Sequence, residues 1–480
     1  MFVDRDAELK FLQSVLTRRR PGPGQLIMVY GRRRVGKTAL LRHWAEQGGT
    51  PWIYWTAQKE PAQLQRRKLF AQILGRNPAL PSNPTFESWS DLWDATAPLL
   101  TSRRQLLVLD ELPYAAEADP AMLSALQLAW DRHFQDSPAV IALCGSHVRA
   151  METLLAHQSP LFGRMTGQWH LQPLPFGVLR QFFPSWSPEE QVAAYAIVGG
   201  VPAYLRWFDP DHTLVENIRE RILAPGSLAL AEVEFLLYDE VREPRVYLSI
   251  LQAIGNGAHS LSEISNAALV AQTNLSVYLA TLQDLRLVER RIPATVPPAK
   301  QRSSKQGRYH LSDPFHRFYF RFLQPNEAEV SYQPERVLTL IQQGLRAFVG
   351  GTTWEELARQ WVIQQARQQA LGFTPERVGS HWSRRVQADV IAVSWTERTI
   401  LIGECKWGAE AVDKATVRDL LERTVPLVLA DLPDKGAGWR TRPMIFARAG
   451  VTPAGRAELA AHAGHVIDAP TLWADLALST

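Results

Sequence analysis

A glycine-rich segment near the start of the chain constrains its fold more than any other feature. Residues 31–38 read GRRRVGKT, which fits G-x-x-x-x-G-K-[ST] at every specified position, and they lie between an apolar run, LIMVY, and a helical pattern, ALL. Glycines let backbone N–H groups curl around phosphate oxygens, and the helix that follows directs the positive end of its dipole toward them. The order strand, loop, helix therefore predicts a nucleotide-binding loop.

The residues of this loop have expected roles in binding a magnesium–nucleotide complex. The Lys37 amine is expected to reach the outer phosphates, and the Thr38 hydroxyl is expected to ligate Mg²⁺. Backbone N–H groups along the loop supply the remaining contacts. The predicted nucleotide-contacting residues are Gly31, Arg32, Arg33, Arg34, Val35, Gly36, Lys37, Thr38 and Ala39.

Length and composition indicate a globular protein of several domains. A chain of 480 residues is too long to fold around a single hydrophobic core, and about three domains are expected. Only two cysteines occur, the first residues include no apolar signal segment, and no apolar run is long enough to span a bilayer. We therefore expect a cytoplasmic protein without a membrane partner. The net charge of +4 is compatible with nucleic-acid binding and does not establish it.

A second element of an ATPase site follows the loop along the chain. The apolar run Leu106–Leu109 ends in Asp110 and Glu111. Asp110 is expected to hold Mg²⁺ through water, and Glu111 to orient and deprotonate the attacking water. Buried strands often end in acids, but downstream of a complete phosphate loop the pair favours ATP hydrolysis, with ATP and Mg²⁺ as cofactors.

A third apolar run places Ser146 near the same edge of the predicted sheet. Residues 139–143 read AVIAL and are followed by Cys144, Gly145 and Ser146. If this strand lies between the other two, Ser146 senses the γ-phosphate; alternatively, it caps the helix that starts near Val148. Parallel strands alternating with helices predict a doubly wound α/β sheet with the ligand at the carboxyl ends of the strands.

Four further segments resemble the archaeal-type ATPases of the STAND group, relatives of AAA+ proteins. They are FVDRDAEL (residues 2–9), GSH (145–147), SPLFGR (159–164) and GGVPAYL (199–205). The resemblance implies a helical lid after the ATPase core, with Pro202 near the nucleotide base. It also makes Arg164 a phosphate-sensing arginine, which would stabilise charge at the γ-phosphate. A purely structural role for Arg164 is the alternative.

The middle of the chain has the pattern of a winged helix-turn-helix. Three helical stripes are predicted, through Tyr247–Ile254, through Leu261–Ala268, and from Thr273, as a possible cap, to Arg286. Strands are predicted at Leu287–Ile292 and Arg308–Leu311, joined by a flexible loop, Pro293–Gly307.

The third of these helices is poorly equipped to read DNA bases. Beyond Asn274 and Gln283 it has almost no outward basic or amide residues, which base readout normally needs. The loop carries four basic residues suited to non-specific phosphate contacts: Lys300, Arg302, Lys305 and Arg308. A module that docks a protein partner is the alternative to one that binds DNA.

The last third of the chain places two acids and a lysine on adjacent predicted strands. After a predicted linker at Gln324–Glu327, the strands cover Val386–Val393 and Thr399–Trp407. A turn centred between Thr396 and Glu397 puts Asp389 directly opposite Glu404 in an antiparallel pair. Glu404 and Lys406 then share a face, because side chains alternate along a strand. Such carboxylates hold a divalent cation, and the lysine polarises a phosphate or positions a water.

This D…E-x-K arrangement resembles the PD-(D/E)XK nucleases. The resemblance implies a restriction-endonuclease-like α/β domain whose first helix supplies one more metal-ligating glutamate, and Glu355 is the matching residue. The predicted metal ligands here are Glu355, Asp389 and Glu404, and the predicted catalytic residues are Asp389, Glu404 and Lys406. An ion-paired cluster at a sheet edge, without a metal, is the alternative.

Taken in order, these patterns predict four segments and a switch. The segments are an ATPase core (1–175), a helical lid (176–242), a winged helix (243–323) and a nuclease-like domain (335–480). The predicted function is ATP turnover coupled to binding or metal-dependent cleavage of nucleic acid, DNA in the first instance. The alternatives are a signalling scaffold that does not cut and a winged-helix transcription regulator. Oligomerisation is required if Arg164 acts across subunits.

Overall fold

The computed structural model of the chain describes residues 2–17, 24–79 and 83–477. They form two compact units, residues 1–174 with 201–203, and residues 175–200 with 204–480. The predicted four-segment division is finer than these units and stays a prediction. Within the described residues of the first unit, the elements are α1 (Asp6–Thr17), β1 (Gln25–Tyr30), α2 (Lys37–Gln47), β2 (Trp52–Thr56), α3 (Ala62–Ile73), α4 (Trp89–Thr101), β3 (Gln105–Asp110), α5 (Leu112–Ala118), α6 (Ala121–Ala129), β4 (Ala139–Gly145), α7 (Val148–Thr153) and β5 (Gly167–His170).

The first unit is built on a parallel five-stranded sheet with the order β2-β3-β4-β1-β5. All residues of β1, β3 and β4 are buried, which accounts for their continuous apolar sequences. Strand β4 lies between β1 and β3, as the γ-phosphate-sensor interpretation of Ser146 requires. The carboxyl ends of these three strands therefore meet at one edge of the sheet.

Helices cover both faces of this sheet. Leu26 and Met28 of β1 belong to a core that includes Trp89 and Trp93 of α4. The alternate residues of β1 pack instead with Leu12 and Val15 of α1, and with Trp44 of α2. Because side chains alternate along a strand, a strand buried on both faces needs apolar residues throughout. The predicted α/β core of doubly wound type is confirmed.

The remaining elements form the second unit, apart from the start of α10. They are α8 (Leu179–Phe182), α9 (Pro188–Val198), α10 (Pro202–Leu205), α11 (Leu214–Asn217), α12 (Leu228–Glu240), α13 (Pro244–Gly255), α14 (Leu261–Ala268), α15 (Gln272–Asp284), β6 (Val288–Arg291), β7 (Arg308–Leu311), α16 (Pro314–Phe318), α17 (Glu327–Tyr332), α18 (Pro334–Val349), α19 (Glu355–Arg367), β8 (Arg377–Trp382), β9 (Gln387–Ser394), β10 (Thr399–Lys406), α20 (Lys414–Arg418), α21 (Val425–Ala430), β11 (Arg440–Ala447), α22 (Pro453–Ala461), β12 (His465–Asp468) and α23 (Ala469–Ala477). In the described parts of the chain, every helix is too short or too polar to cross a membrane.

Three helices, α13 to α15, precede an antiparallel hairpin of β6 and β7, in which Val288 pairs with Leu311. Ser260 caps α14 through a reciprocal pair of hydrogen bonds with Glu263. The predicted Thr273 cap is wrong, because α15 begins at Gln272 after Ala271 and has no side-chain cap. A hairpin with three preceding helices is therefore present, with helix starts that differ in detail from the predicted ones.

The connection between β6 and β7 is less free than its sequence suggests. Ala294 is fully buried, and its N–H donates to the carbonyl oxygen of Ser380 in β8 (2.8 Å). The Thr295 hydroxyl lies 2.7 Å from Nδ1 of the buried His381. The prediction that all of Pro293–Gly307 is flexible is therefore wrong at its start, because contacts with a distant strand order it.

The last part of the chain forms a mixed sheet with the order β12-β11-β10-β9-β8. Strands β8, β9 and β10 are antiparallel neighbours, whereas β11 and β12 run parallel to β10. The predicted linker at Gln324–Glu327 is wrong: a 3₁₀ turn, Gln324–Asn326, leads directly into α17. The polar residues of this segment lie on the exposed side of helical turns, which explains why the sequence resembles a linker.

Candidate functional site

The loop after β1 has the backbone that its glycines predict. A Cβ atom at Gly31 would lie 2.4 Å from the carbonyl oxygen of Leu171, so a side chain at this position is excluded. Gly36 has φ +96°, in the left-handed region, and is the residue from which α2 starts. The two glycines therefore let the loop pass close to neighbouring backbone and turn into the helix.

Lys37 lies inside this loop. Its side chain is 5% exposed, and Nζ donates to the carbonyl oxygen of Arg32 (2.9 Å). Burial lowers the pKa of Lys37, and the charges of Glu111 and Asp110 partly oppose this effect. A buried ammonium group whose partner is a loop carbonyl is well placed to exchange that carbonyl for a phosphate oxygen.

Thr38 and Asp110 form the oxygen-rich part of the site. The Thr38 hydroxyl donates to Oδ2 of Asp110 (2.9 Å), and Tyr54 in β2 donates to the same oxygen (2.6 Å). Burial and the charge on Asp110 raise the pKa of Tyr54, so this phenol stays protonated and donates. A hydroxyl and a carboxylate in contact are the ligand types that Mg²⁺ takes, and the residues present fit this ion.

Ser146 contacts the predicted general base. Its hydroxyl donates to Oε2 of Glu111 (2.9 Å), and its backbone N–H donates to the same atom (3.2 Å). The alternative that Ser146 caps the next helix is wrong, because Nδ1 of His147 caps α7 by accepting from the N–H of Ala150. Ser146 therefore holds the Glu111 carboxylate in a defined orientation.

Two residues assigned by resemblance lie in different surroundings. Pro202 belongs to the first unit, and its Cγ would lie 3.8 Å from a Cβ atom at Gly36, so it is next to the loop. Arg164 forms a bidentate pair with Asp131 (2.7 and 2.8 Å), and its third nitrogen donates to the carbonyls of Pro160 and Phe162. Within one chain Arg164 is committed to this pair, and phosphate sensing by Arg164 stays a prediction.

The C-terminal carboxylates have the predicted register. The paired residues of β9 and β10, such as Val390 with Gly403, place Asp389 opposite Glu404 one step further along. Oδ2 of Asp389 accepts from the N–H of Cys405 (2.9 Å), and the Lys406 ammonium donates to Glu404 (2.8 Å). The predicted turn, the antiparallel pair and the shared face of Glu404 and Lys406 are confirmed.

Glu355, the first residue of α19, completes this carboxylate cluster. Burial and the charge on Asp389 raise the pKa of Glu355 to about 8, and burial and the charge on Glu404 raise that of Asp389 to about 6. Arg359 lies 3.4 Å from Glu355 and donates to the backbone oxygen of Asp389 (2.9 Å). Carboxylates with pKa values raised by burial and by neighbouring carboxylates are typical of functional sites.

The carboxylate cluster is not arranged as a preformed metal site. Burial lowers the pKa of Lys406, but the hydrogen bond and charge of Glu404 outweigh this and raise it, and the Lys406 ammonium forms an ion pair with Glu404. Across residues 2–17, 24–79 and 83–477, no group of three or more His, Cys, Asp or Glu side chains could hold a metal ion as placed. In the described residues, Glu404 is paired with Lys406 and Asp389 with the N–H of Cys405, so the predicted metal ligands have protein partners as placed.

Comparison with known proteins identifies the family. An ATPase domain predominantly from archaea matches residues 2–208, and a family of archaeal and bacterial proteins of unknown function matches residues 319–418. An uncharacterised protein of Methanocaldococcus jannaschii is 31% identical over 436 residues, which cover 90% of this chain and 91% of the relative. The chain belongs to the archaeal-type ATPase family. In this archaeal-type ATPase, the ATPase match extends past the first unit and includes the GGVPAYL segment.

Solved structures show a weaker likeness. A Walker-type ATPase of Pyrococcus abyssi is 20% identical, with a TM-score of 0.47, and the match covers 67% of this chain and 96% of that one. The ORC2 protein of Aeropyrum pernix is 14% identical, with a TM-score of 0.43, and covers 71% and 95%. Likeness at this level assigns neither a ligand nor a partner to the archaeal-type ATPase described here.

Three residues that contact these sites are given no role by the sequence patterns. Tyr54 binds Asp110 from β2, and Arg359 joins Glu355 to β9. Arg5, which is 5% exposed, donates to the carbonyl oxygens of Val35 (3.0 Å) and Gln172 (2.8 Å) and thereby supports the loop from outside. Arg5 lies within the FVDRDAEL segment, so the resemblance marked its neighbourhood without indicating its contacts.

We expect Ser146→Ala to slow hydrolysis while leaving ATP binding nearly unchanged. A hydrogen bond to a charged group contributes about 1.5–3 kcal/mol, so losing the Ser146–Glu111 contact should lower kcat about 10- to 100-fold. Steady-state ATPase assays and equilibrium ATP binding measure the two effects. Ser102→Ala, at the exposed end of α4, is the matched control. A weakened ATP affinity with unchanged kcat contradicts the assigned role.

We expect Glu355→Gln to stabilise the protein at high pH only. The folded-state pKa of about 8 exceeds the ordinary value of 4.5, so the unfolded chain releases this proton first as the pH rises. The free energy of unfolding therefore falls from about pH 4.5 to pH 8, and the glutamine variant removes this loss. At about pH 9 its unfolding temperature should exceed that of the wild type by roughly 2–4 °C, with little difference near pH 5. Equal shifts at both pH values contradict the raised pKa.

Proposed function

We propose that this archaeal-type ATPase is a switch in which ATP binding and hydrolysis control nucleic-acid binding or cleavage at its C-terminal carboxylate cluster. The single observation that carries the proposal is the register of β9 and β10, which brings Asp389, Glu404 and Lys406 to one place. Membership of the ATPase family supports the other half of the proposal, the binding and hydrolysis of ATP. The proposed nucleic acid is DNA.

In the ATPase half, the residues of the site bind the nucleotide, orient the attacking water and exclude other water. Lys37 and the backbone N–H groups from Gly31 to Ala39 hold the phosphates, while Thr38 and Asp110 would hold Mg²⁺. Bound Mg²⁺ supplies neutralisation of charge on the phosphate oxygens. Glu111, oriented by Ser146, accepts the proton of the attacking water. Burial of Lys37 keeps its charge in a low-dielectric site, where it acts on the phosphates most strongly.

Helix α9 is the proposed connection between ATP turnover and the carboxylate cluster. Glu189 in its first turn forms an ion pair with Arg448, which also lies 5.6 Å from the Trp407 ring, next to Lys406. Arg448 further donates its backbone N–H to the carbonyl of Lys406 (2.9 Å). At its other end α9 passes through Gly199 and Gly200 to residues 201–203, which belong to the first unit. The proposed route from the nucleotide site to Lys406 therefore runs through this one helix.

We expect Arg448→Ala to uncouple the two halves. The substitution removes the ion pair with Glu189 and the ring contact with Trp407, but it leaves every residue of the nucleotide site in place. By linkage, a nucleic acid that binds the C-terminal cluster changes the affinity for ATP in the wild type, and this change should fall at least about fivefold in the variant. Equilibrium ATP binding with and without single- and double-stranded DNA measures it. Arg456→Ala, exposed in α22, is the control; a DNA effect that survives in Arg448→Ala contradicts this route.

A non-cleaving scaffold is the second candidate function. The Glu404–Lys406 ion pair occupies one of the carboxylates that a metal ion needs, and this observation favours binding without cutting. Undiminished biological activity of Asp389→Ala and Glu404→Ala variants, with Lys37→Ala inactive, would support this candidate. Binding partners would then be sought among proteins as well as nucleic acids.

A winged-helix transcription regulator has less support. The α15 helix exposes Val277 (67%), and the turn before it exposes Leu269 (91%). The Gln283 amide donates to the carbonyl of Leu279 in its own helix (3.1 Å), so it is engaged with backbone. These features suit contact with a protein better than readout of base edges. The proposed role of the three helices and hairpin is therefore docking or non-specific contact.

A further inference from the structure

A cavity of about 450 Å³ lies between the α13–α15 module and the C-terminal sheet, and the proposed function does not account for it. Its walls come from the end of α13, from the β6–β7 hairpin, from the start of α19 and from strands β8 and β9. Ligand pockets for small molecules span about 300–1,000 Å³, so the volume suits a ligand of nucleotide size. Glu355 is one of the lining residues, which places the cavity beside the carboxylate cluster.

The lining of this cavity carries an excess of positive charge. Four arginines contribute to it, against two glutamates, Glu355 and Glu356. Glu356 accepts from Arg291 (2.6 Å) and from Arg317 (2.9 Å), so one carboxylate lies between these two guanidinium groups. The other two arginines, Arg308 and Arg321, contribute positive charge beyond these ion pairs. The cavity is therefore cationic even with both carboxylates ionised.

Arg308 and Arg321 each lie beside an aromatic ring. The Arg308 guanidinium lies 5.0 Å from the centre of the Trp382 ring, and that of Arg321 lies 5.9 Å from the Phe322 ring. A ring contact uses the face of a guanidinium group and leaves its N–H edge to donate to an acceptor. Two such guanidinium groups lining one cavity suit the several oxygens of a phosphate group.

The pKa values of the two histidines in the cavity reflect the positive charge of these arginines. Burial lowers the pKa of His310 to about 2, and the charges of Arg291, Arg317 and Arg308 contribute to this decrease. Burial likewise lowers the pKa of His259, whose ring stacks on His310 with centroids 4.4 Å apart. Both rings are neutral at physiological pH and line the cavity. An anion in the cavity would relieve the repulsion among the arginines.

We infer that this cavity binds a nucleoside phosphate, either a free nucleotide or the terminal nucleotide of a strand, with Arg308 and Arg321 on its phosphate. Trp382 and Phe348 supply apolar wall for the remainder of the ligand. The inference deepens the proposed function, on which it rests for the nearness of this ligand to Glu355. The C-terminal half then selects its ligand by a terminal phosphate.

The test uses the full chain with Lys37→Ala, so that the nucleotide loop does not compete for the probe. Mixed-sequence DNA and RNA hexanucleotides, labelled at the 3′ end and carrying a 5′-phosphate or a 5′-hydroxyl, are titrated and followed by fluorescence anisotropy. The 5′-phosphorylated strands should bind about tenfold more tightly or better. Unlabelled 5′-mononucleotides serve as competitors: full competition identifies a free nucleotide as the ligand, and weak competition identifies a strand end. Both of these results support the cavity.

Substitutions test whether Arg308 and Arg321 are responsible for the preference for a 5′-phosphate. Arg308→Gln with Arg321→Gln should remove most of the preference for phosphate, whereas the paired lysine substitutions should retain much of it. Arg456→Gln, exposed in α22, should leave affinity unchanged. Equal affinity for phosphate and hydroxyl ends, or a preference that survives the glutamine pair, would overturn the inference. Because the assay involves neither ATP hydrolysis nor strand cleavage, its failure is separate from failure of the proposed function.

Discussion

Replacing Lys37 with alanine should abolish ATP turnover, with a decrease in kcat/KM of at least about 100-fold. The Lys37 ammonium is buried within the loop, and its present acceptor is the Arg32 carbonyl. No other residue in the loop has an ammonium group, and the neighbouring Arg33 donates to Tyr114 (2.8 Å). The substitution therefore removes the ammonium group that the loop directs at the outer phosphates.

The measurement for Lys37→Ala is an ATPase assay beside direct binding of ATP. Lys10→Ala, an exposed lysine on α1, is the matched control and should behave like the wild type. Removing a buried charge does not disrupt the core, so the unfolding temperature should stay within a few degrees of the wild type. Near-normal turnover in Lys37→Ala would show that the loop is not the site of ATP hydrolysis.

Glu404→Gln should remove strand cleavage and leave ATP turnover within about twofold of the wild type. The substitution keeps the size of the side chain but removes the charge that a metal ion at Asp389 needs, and removal of a carboxylate ligand costs about 10²-fold or more in such chemistry. It also frees Lys406 from its 2.8 Å ion pair. The effect should therefore be confined to the C-terminal cluster.

Cleavage is followed with labelled DNA and RNA in Mg²⁺ or Mn²⁺, with EDTA as the metal-free condition. Glu410→Gln, four residues after the exposed end of the motif, is the control and should cut normally. Cutting that continues in both Glu404→Gln and Asp389→Asn would place the activity elsewhere in the chain. The same two variants distinguish a metal site from an ion-paired cluster that only stabilises the sheet.

The parts of both sites that follow from short-range periodicity could be predicted from the sequence. Gly31, Gly36, Lys37 and Thr38 occupy fixed positions in a loop whose backbone is dictated by glycine. The pairing of Asp389 with Glu404 follows from the turn position and from alternation along two strands, and counting alone reaches it. Such features depend on a few neighbouring residues, so the structure reproduces them.

Features that depend on tertiary contacts could not be predicted. Tyr54 binds Asp110 across 56 positions, and Thr295 contacts His381 across 86. The pair of Arg164 with Asp131 joins a loop to the π-helical turn Trp130–Phe134, and nothing local signals it. The start of α15 differs from its predicted cap because helix ends are the least determined part of an element.

Cleavage of mixed DNA and RNA substrates by the full chain tests the central claim most directly. The assay is run with ATP, with a non-hydrolysable ATP analogue and without nucleotide, and the Lys37→Ala and Glu404→Gln variants are measured beside the wild type. The proposed switch predicts metal-dependent cutting that requires ATP and is lost in both variants. Cutting that is equal with and without ATP, or that persists in Lys37→Ala, would contradict the coupling of the two sites. ATP turnover without cutting under any condition would contradict cleavage and assign the carboxylates to binding.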